Sequence, residues 1–231
     1  MKRICTNGMI WLLALLLFAA PIPSFAAPEP DWSRVYFLGE STTAHLRRRG
    51  NLLGHYAATN VLAPDSGTLL LSSRTLLQAI HLQSGEKTSI LEAIQQTQPP
   101  ILILSFGLNG IVGFYASETR YAALYKNLIR QIQTVSPDTR IALQTIYPVA
   151  KEQTQWRFSV LPKQVNEWIG HLNLRLAVLA DEADVLLFDT AALLRDESGY
   201  LKPEFSADGI HLTSAGYDVI LRYIAIKLEE F

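Results

Sequence analysis

The chain has 231 residues, with 20 Lys or Arg, 21 Asp or Glu and a net charge of −1. This length is sufficient for one domain with a full hydrophobic core. A charge so close to zero excludes a general nucleic-acid binder that relies on a basic face, and we expect no nucleic-acid partner.

The first 27 residues have the pattern of a secretory signal. Lys2 and Arg3 precede an apolar run over residues 9–20, and small residues follow as far as Ala27. The run is short for a membrane span. We therefore expect cleavage after residue 26 or 27 and an exported protein, periplasmic or secreted, whose mature form does not span a membrane. An uncleaved anchor is the alternative.

Removal of that signal would also remove the only cysteine, Cys5. The mature protein would then have no disulfide and no thiol chemistry, and its stability would depend on its core. No repeat, low-complexity tract or internal boundary interrupts residues 28–231, which we expect to form a single domain.

Strand and helix patterns alternate along those residues. Apolar runs predict strands over residues 35–38, 56–63, 101–106, 141–146 and 185–188. Helical patterns and capping signals predict helices over residues 43–49, 89–98, 118–135, 162–183 and 213–228, while residues 69–85 give no clear pattern. The order predicts an α/β fold, a three-layer α/β/α sandwich around a central parallel sheet. Because the strands do not alternate apolar and polar residues, helices should cover both faces of the sheet.

Ser41 follows the first predicted strand, after the turn at Gly39 and Glu40. Ligands of open α/β sheets bind outside the carboxyl ends of the strands, which is where this hydroxyl would lie. Such a serine is either a nucleophile or an ordinary helix N-cap, and taken alone the N-cap is the commoner role.

Two later stretches also place polar residues at the end of a predicted strand or at the start of a predicted helix. Asn109 follows the strand over residues 101–106, and the turn from Asp208 to His211 precedes the last helix. Among the five histidines, only His211 has a carboxylate three residues earlier in a turn that contains glycine. Asp208 could accept the Nδ1 proton of that ring, which would leave Nε2 free to face Ser41 and act as a base.

The three motifs Gly-x-Ser41, Gly-x-Asn109 and Asp208-x-x-His211 occur in this order. Together they resemble the SGNH (GDSL-like) hydrolase family, over a stretch from about Arg34 to the end of the chain. The resemblance implies a flavodoxin-like α/β/α fold and hydrolysis of an ester through an acyl-serine intermediate. It also implies Ser41, His211 and Asp208 as the catalytic residues.

By the same resemblance, the oxyanion would be bound by the backbone N–H of Ser41 and by the side-chain amide of Asn109. Family members use a glycine amide after the second strand as a further donor. Gly67 is the best match, with an ordinary turn glycine as the alternative. The chain departs from the family pattern at Glu40, where Asp is common, and at Gly110, where many members have Asp.

The sequence contains no H-x-x-x-H motif, no Cys/His cluster and no Gly-rich phosphate loop, and we expect no metal and no cofactor. Export favours an acyl or O-acetyl ester of envelope or environmental polysaccharide, or a lipid ester, as substrate. Tyr147, Trp156 and Phe158 are candidates for a substrate wall, with core packing as the alternative. The run of three arginines at residues 47–49 is either a solvated helix face or a contact for an anionic substrate.

Two other functions would use the same fold. The departures at Glu40 and Gly110 are compatible with a binding or scaffold module with little turnover. The proposed catalytic residues would equally serve an acyltransferase that passes the acyl group to a sugar hydroxyl instead of water.

Overall fold

The computed structural model describes residues 30–82, 84–152 and 159–229. The predicted signal, Cys5, and two of the substrate-wall candidates, Trp156 and Phe158, lie outside these residues. Within the described ranges, no helix is both long enough and apolar enough to cross a membrane.

The described part of the chain contains seven β-strands and nine α-helices. The strands are β1 Val35–Gly39, β2 Val61–Leu62, β3 Ala79–His81, β4 Lys87–Ser89, β5 Ile101–Ser105, β6 Arg140–Gln144 and β7 Leu186–Phe188. The helices are α1 Ser41–Ala44, α2 Leu46–Arg49, α3 Tyr56–Thr59, α4 Ile90–Thr97, α5 Ile111–Ala116, α6 Glu118–Val135, α7 Pro162–Glu182, α8 Ala191–Leu194 and α9 Ser214–Glu229.

Five of the strands form one parallel sheet in the order β2-β1-β5-β6-β7. The chain leaves β1 toward β2 on one side and later returns to β5 on the other, so the strand order reverses between β1 and β5. Ligands of such sheets bind at this reversal, outside the carboxyl ends of the strands. The predicted α/β/α sandwich with a central parallel sheet is confirmed.

Each face of the sheet packs against its own layer of helices. Along β1, Leu38 points into a core with α4, α6 and α7, while Val35 and Phe37 point into a second core with α2 and α9. Along β5, Leu102 and Leu104 belong to the first core and Ile103 to the second. Successive strand residues thus alternate between two apolar layers, which explains why the sequence shows continuous apolar runs.

The strand predicted over residues 56–63 is wrong in its first half. Tyr56–Thr59 forms the short helix α3, and only Val61–Leu62 pairs with β1. Asn60, buried between the two, donates from Nδ2 to the carbonyl oxygens of Trp32 and Val35 at 2.8 and 3.2 Å. That anchor depends on residues far away in the chain, so local periodicity could not indicate it.

The unassigned residues 69–85 contain a short 3₁₀ turn and the first strand of an antiparallel pair, β3 with β4. The capping box predicted at Ser89 is confirmed: its hydroxyl accepts from the Glu92 N–H, and the Glu92 carboxylate accepts from the Ser89 N–H at 3.0 Å. The same serine therefore ends β4 and starts α4.

Candidate active site

Ser41 lies at the carboxyl end of β1, where the chain must turn at once. A Cβ atom at Gly39 would clash with the Ser105 carbonyl oxygen and the Thr43 hydroxyl, so this close approach of β1, β5 and α1 requires glycine. Residue 40 occupies the N-cap position and Ser41 is the first helical residue. The Ser41 hydroxyl is consequently not a cap; it bonds to a histidine from the other end of the chain.

Ser41, His211 and Asp208 form a continuous hydrogen-bonded chain. Ser41 Oγ lies 2.9 Å from His211 Nε2, and His211 Nδ1 lies 2.7 Å from Asp208 Oδ2. The other carboxylate oxygen, Oδ1, accepts from the backbone N–H groups of Ile210 and His211 at 3.0 and 2.8 Å. With the proton on Nδ1, Nε2 is an acceptor for the serine hydroxyl, which is the arrangement that a serine nucleophile needs.

The environment of Asp208 keeps its carboxylate charged. Partial burial acts to raise its pKa, but the hydrogen bonds from the His211 ring and from the two backbone N–H groups outweigh this and lower the pKa below its usual value. A charged Asp208 holds the Nδ1 proton and would stabilise the imidazolium that forms when His211 accepts a proton.

The loop that carries Asp208 and His211 is held from three sides. Ser206 and Leu212 form a β-bridge, and the carbonyl oxygen of Gly209 accepts from the Ala150 N–H at 2.9 Å. Arg49, from α2, donates to the Leu212 carbonyl oxygen at 2.5 Å. The last contact links the helix α2, which follows Ser41, directly to the loop that carries His211, so it holds the two residues close together.

Glu40 organises the loop after β5. Its side chain is 3% exposed, and its two carboxylate oxygens accept from the backbone N–H groups of Gly107, Leu108 and Asn109 at 2.8 to 3.1 Å. Burial raises the pKa of Glu40 to about 8, against the effect of these three N–H groups, which favour the charged form. The glutamate that departs from the family pattern therefore binds the loop that carries Asn109.

Asn109 lies near Ser41, and its amide already has partners. Nδ2 donates to Thr68 Oγ1 and to the Leu69 carbonyl oxygen, both at 2.9 Å. The N–H of Gly67 donates within its own turn to the Pro64 carbonyl oxygen at 2.9 Å. Among the described residues, the Ser41 N–H has no acceptor. Of the three predicted oxyanion donors, the Ser41 N–H has no acceptor among the described residues, whereas the Asn109 amide and the Gly67 N–H are bonded within the protein.

A cavity of about 920 Å³ lies at this edge of the sheet. It brings together the predicted site residues, since Ser41, Gly67, Asn109, Asp208 and His211 all line it. Ligand sites commonly have volumes of about 300–1,000 Å³, so the space admits a substrate larger than a simple acetyl ester.

Tyr147 is a correction to the predicted substrate wall. It is 5% exposed in the core beneath α9, and its hydroxyl accepts from Gln144 Nε2 at 2.8 Å. It is not among the described residues that line the cavity. Core packing, the alternative given for this tyrosine, is what the structure shows, because β6 ends earlier than predicted and the chain turns inward.

His45 is a site residue that the sequence analysis did not identify. Its ring packs on the ring of His211, with centroids 4.4 Å apart and planes tilted by 39°. Its Nδ1 is buried without a hydrogen-bond partner among the described residues. Burial lowers the pKa of His45 to about 4, with smaller contributions from a protonated His211 and from the positive charges of Arg49 and Arg48. The ring is therefore neutral at pH 7, and only its position four residues after Ser41, on the same helical side, hinted at a role.

The three arginines at residues 47–49 have separate environments. Arg47 donates to the carbonyl oxygens of Val61 and Ala63 at the end of β2, and Arg49 donates to Leu212. Arg48 is exposed and lines the cavity. Two members of the run thus support the fold, and one faces the site.

Comparison with known proteins identifies the family. The model of the GDSL-like lipase/acylhydrolase family matches residues 37–219. The chain belongs to this family. It is accordingly an enzyme of the SGNH type, a carboxylic ester hydrolase, as its motifs predict. A search of curated proteins finds no match to this chain.

Solved structures share the fold at low sequence identity. A GDSL-like lipase from Bacteroides thetaiotaomicron aligns over 86% of this chain and 87% of its own, with 18% identity and a TM-score of 0.60. The periplasmic domain of a lipopolysaccharide acetyltransferase from Salmonella ser. Paratyphi A aligns over 85% and 84%, with 17% identity and a TM-score of 0.58. An aryl esterase from M. smegmatis aligns over 85% and 98%, with 17% identity and a TM-score of 0.53.

Replacement of Glu40 tests its role in holding the Asn109 loop. Glu40→Ala leaves two buried N–H groups, of Gly107 and Leu108, and the partly buried N–H of Asn109 without acceptors, and each buried group costs about 1–3 kcal/mol. We expect the free energy of unfolding to fall by at least about 2 kcal/mol and ester hydrolysis to fall with it. Urea denaturation and an aryl-ester assay measure both. Glu197→Ala, at an exposed position, is the control, and equal behaviour of the two variants would contradict the assigned role.

Two substitutions of His45 test whether packing of its ring on His211 contributes to kcat independently of the stability of the protein. Aromatic pairs are worth about 0.5–1.5 kcal/mol, so His45→Ala should lower kcat about 2- to 12-fold with little change in KM. His45→Phe keeps an uncharged ring against His211 and should recover most of kcat. If the Phe variant were as slow as the Ala variant, at unchanged thermal stability, packing of the ring would not be what His45 supplies.

Proposed function

We propose that the protein is an exported serine esterase in which Ser41 is the nucleophile, His211 the general base and Asp208 the residue that orients the histidine. The observation that carries this proposal is the hydrogen-bonded chain from Ser41 Oγ through His211 to Asp208, with bonds of 2.9 and 2.7 Å, at the edge of the cavity. Residues far apart in the sequence meet there, in the fold of an acylhydrolase family.

In the first step, Ser41 Oγ attacks the ester carbonyl carbon while His211 Nε2 takes the hydroxyl proton. The tetrahedral intermediate collapses as the imidazolium gives that proton to the departing alcohol oxygen, which leaves an acyl-Ser41 ester. In the second step, His211 takes a proton from water, and the hydroxide so formed attacks the acyl carbon. Return of the proton to Ser41 Oγ releases the carboxylic acid and regenerates the enzyme.

Three groups are proposed as oxyanion donors: the N–H of Ser41, the side-chain amide of Asn109 and the N–H of Gly67. The Ser41 N–H is the open donor of the three. Asn109 would have to exchange its bond to Thr68 or Leu69 for one to the oxyanion, and Gly67 its bond to Pro64. A negatively charged oxygen is a stronger acceptor than a hydroxyl or a carbonyl oxygen, which favours this exchange in the transition state.

The departures from the family pattern are compatible with catalysis. Glu40 keeps a carboxylate on the loop amides. Gly110 starts α5 at a φ of 85°, a left-handed conformation that glycine adopts without strain. Since neither residue displaces the Ser41–His211 pair, the geometry favours an active enzyme over a scaffold with little turnover.

We further propose that residues 28–231 form the mature domain and that it acts outside the cytoplasm, on acyl or O-acetyl esters of polysaccharide or on lipid esters. The pattern of residues 1–27 supports export. The volume of the cavity supports a substrate with a sizeable alcohol or acyl part. Transfer to a sugar hydroxyl would use the same acyl-Ser41 intermediate, so product analysis with a sugar acceptor present separates transfer from hydrolysis.

Removal of the nucleophile tests the proposed function directly. Ser41→Ala should lower kcat for a short aryl ester by about 10⁴–10⁶ without changing the fold, as measured by circular dichroism and thermal unfolding. Ser198→Ala, at an exposed position, should keep full activity. Equal turnover in the wild type and Ser41→Ala, or no turnover in either, would contradict the esterase.

Two variants test whether the Asn109 side chain acts as an oxyanion donor or only connects two loops by hydrogen bonds. Asn109→Ala removes the donor and should lower kcat by about 10²–10³. Thr68→Val removes one of the two partners of the same amide but keeps the amide itself and its bond to Leu69, and should keep kcat within a few-fold of the wild type. If both variants lost activity equally, the bond between the two loops, and not oxyanion binding, would be the contribution of Asn109.

A further inference from the structure

We propose that the cavity beside Ser41 contains a subsite for an anionic group of the substrate, a carboxylate or a phosphate, formed by Arg48 and Arg74. Both arginines line the same cavity as Ser41 and His211. The inference rests on the proposed esterase function and names the substrate class: an ester that carries a negative charge close to its scissile bond.

The charges around the cavity are unbalanced. Its one acidic lining residue among those described, Asp208, is bonded to His211 at 2.7 Å. Arg48 and Arg74 are both exposed, and neither forms an ion pair within the described ranges. Asp65, the acid of the neighbouring loop, instead lies 3.1 Å from His81 Nε2. The two guanidinium groups therefore face the cavity without an internal counter-ion.

Arg48 is carried by a short helix that is fixed on both sides. Arg47 is bonded to the end of β2 and Arg49 to the histidine loop. The guanidinium groups of these two flanking arginines donate hydrogen bonds within the protein, whereas that of Arg48 has no hydrogen-bond partner among the described residues. A cation on a segment held in this way is a better ligand-binding group than one on a free loop, since less conformational freedom is lost on binding.

Arg74 is carried by a loop with its own internal support. Thr75 Oγ1 accepts from the Ser72 N–H and donates to the Leu70 carbonyl oxygen, both at 2.9 Å, and the Arg74 N–H donates to Ser72 Oγ at 3.2 Å. Ser72 and Gln78 of the same region also line the cavity. This wall therefore offers one cation and neutral polar groups, which suits a hydrated or hydroxyl-rich anion.

The positive charge of this side of the cavity reaches His45, which lies beside the proposed base. Arg49 and Arg48 both act to lower the pKa of His45, the ring packed on His211. Guanidinium groups bind carboxylate and phosphate oxygens through paired N–H donors. A uronic acid bearing an O-acyl group and a phospholipid both offer such an anion next to an ester, and the shared chemistry is what the two arginines would recognise.

Matched substrates with and without an anionic group test the proposal. One pair is O-acetylated methyl glucuronoside and its neutral glucuronamide counterpart; the other is dihexanoyl phosphatidate and dihexanoylglycerol. Two exposed Arg–anion contacts together are worth about tenfold. We expect the wild type to prefer the anionic member about tenfold in kcat/KM in at least one pair, and to lose that preference in 0.5 M salt, a concentration at which charges are screened within a few ångströms. The pair that shows the preference identifies a sugar or a lipid as its source.

The double variant Arg48→Gln/Arg74→Gln should lose the preference, so that its kcat/KM for the anionic member equals its own kcat/KM for the neutral member. Arg120→Gln/Arg222→Gln changes charge equally at exposed positions away from the cavity lining and should keep the preference. Equal kcat/KM for both members of each pair in the wild type would overturn the subsite, as would an unchanged preference in Arg48→Gln/Arg74→Gln.

A binding measurement separates failure of the subsite from failure of the esterase. In the Ser41→Ala background, ligand-observed NMR compares methyl glucuronoside and glycerol 3-phosphate with methyl glucoside and glycerol. Stronger binding of an anion that disappears on replacement of Arg48 and Arg74 supports the subsite even if no ester is turned over. Equal binding of anionic and neutral probes would refute it even in an active enzyme.

Discussion

The carboxylate of Glu40 joins the two strand ends on which the site is built. Glu40 lies between the end of β1 and Ser41. Its side chain accepts hydrogen bonds from three successive backbone N–H groups in the loop after β5. Because a buried carboxylate without partners is very unfavourable, these bonds fix the loop and the serine turn relative to each other. Burial disfavours the charged form of Glu40, while the three backbone N–H groups favour it. The same hydrogen bonds therefore hold the loop in place and influence the charge of the glutamate.

His211, the proposed base, comes from the opposite end of the chain and is positioned by different contacts. Tyr217, in α9, donates from its hydroxyl to the Thr42 carbonyl oxygen at 2.5 Å, and Arg49 bonds to Leu212. Both contacts run between the segment after Ser41 and the segment around His211. The distance between Ser41 and His211 is thus set by hydrogen bonds on one side of the sheet, whereas the backbone position of Asn109 is set by Glu40 across β1 and β5.

Much of this arrangement follows from local patterns. Parallel strands place their carboxyl ends at one edge, so Ser41 and Asn109 were expected at the same edge once the strands were recognised; the pairing of β1 with β5, which makes them neighbours, comes from the structure. The Asp208–His211 spacing is local, because a three-residue turn brings the two side chains together. The shared edge and the turn needed only parallel strands and turn chemistry, both of which sequence patterns indicate.

The features that the sequence did not indicate depend on distant contacts. The helix α3 is stabilised beside Asn60, whose partners are 25 and 28 residues away. The different environments of Arg47, Arg48 and Arg49 depend on which carbonyl groups the fold brings near each one. Tyr147 is buried because the chain turns inward after β6, and the packing of His45 on His211 joins residues 166 positions apart. Composition and periodicity carry no information on such long-range contacts.

The internal bonds of Asn109 have a consequence for selectivity. A substrate carbonyl that is still neutral offers the amide no stronger acceptor than Thr68 and Leu69 already supply, so little is gained in the ground state by exchanging partners. Only when charge accumulates on the reacting oxygen does the new bond become the better one. An amide satisfied at rest would thereby favour the charged, short-lived species over the bound ester, which is the difference that accelerates a reaction.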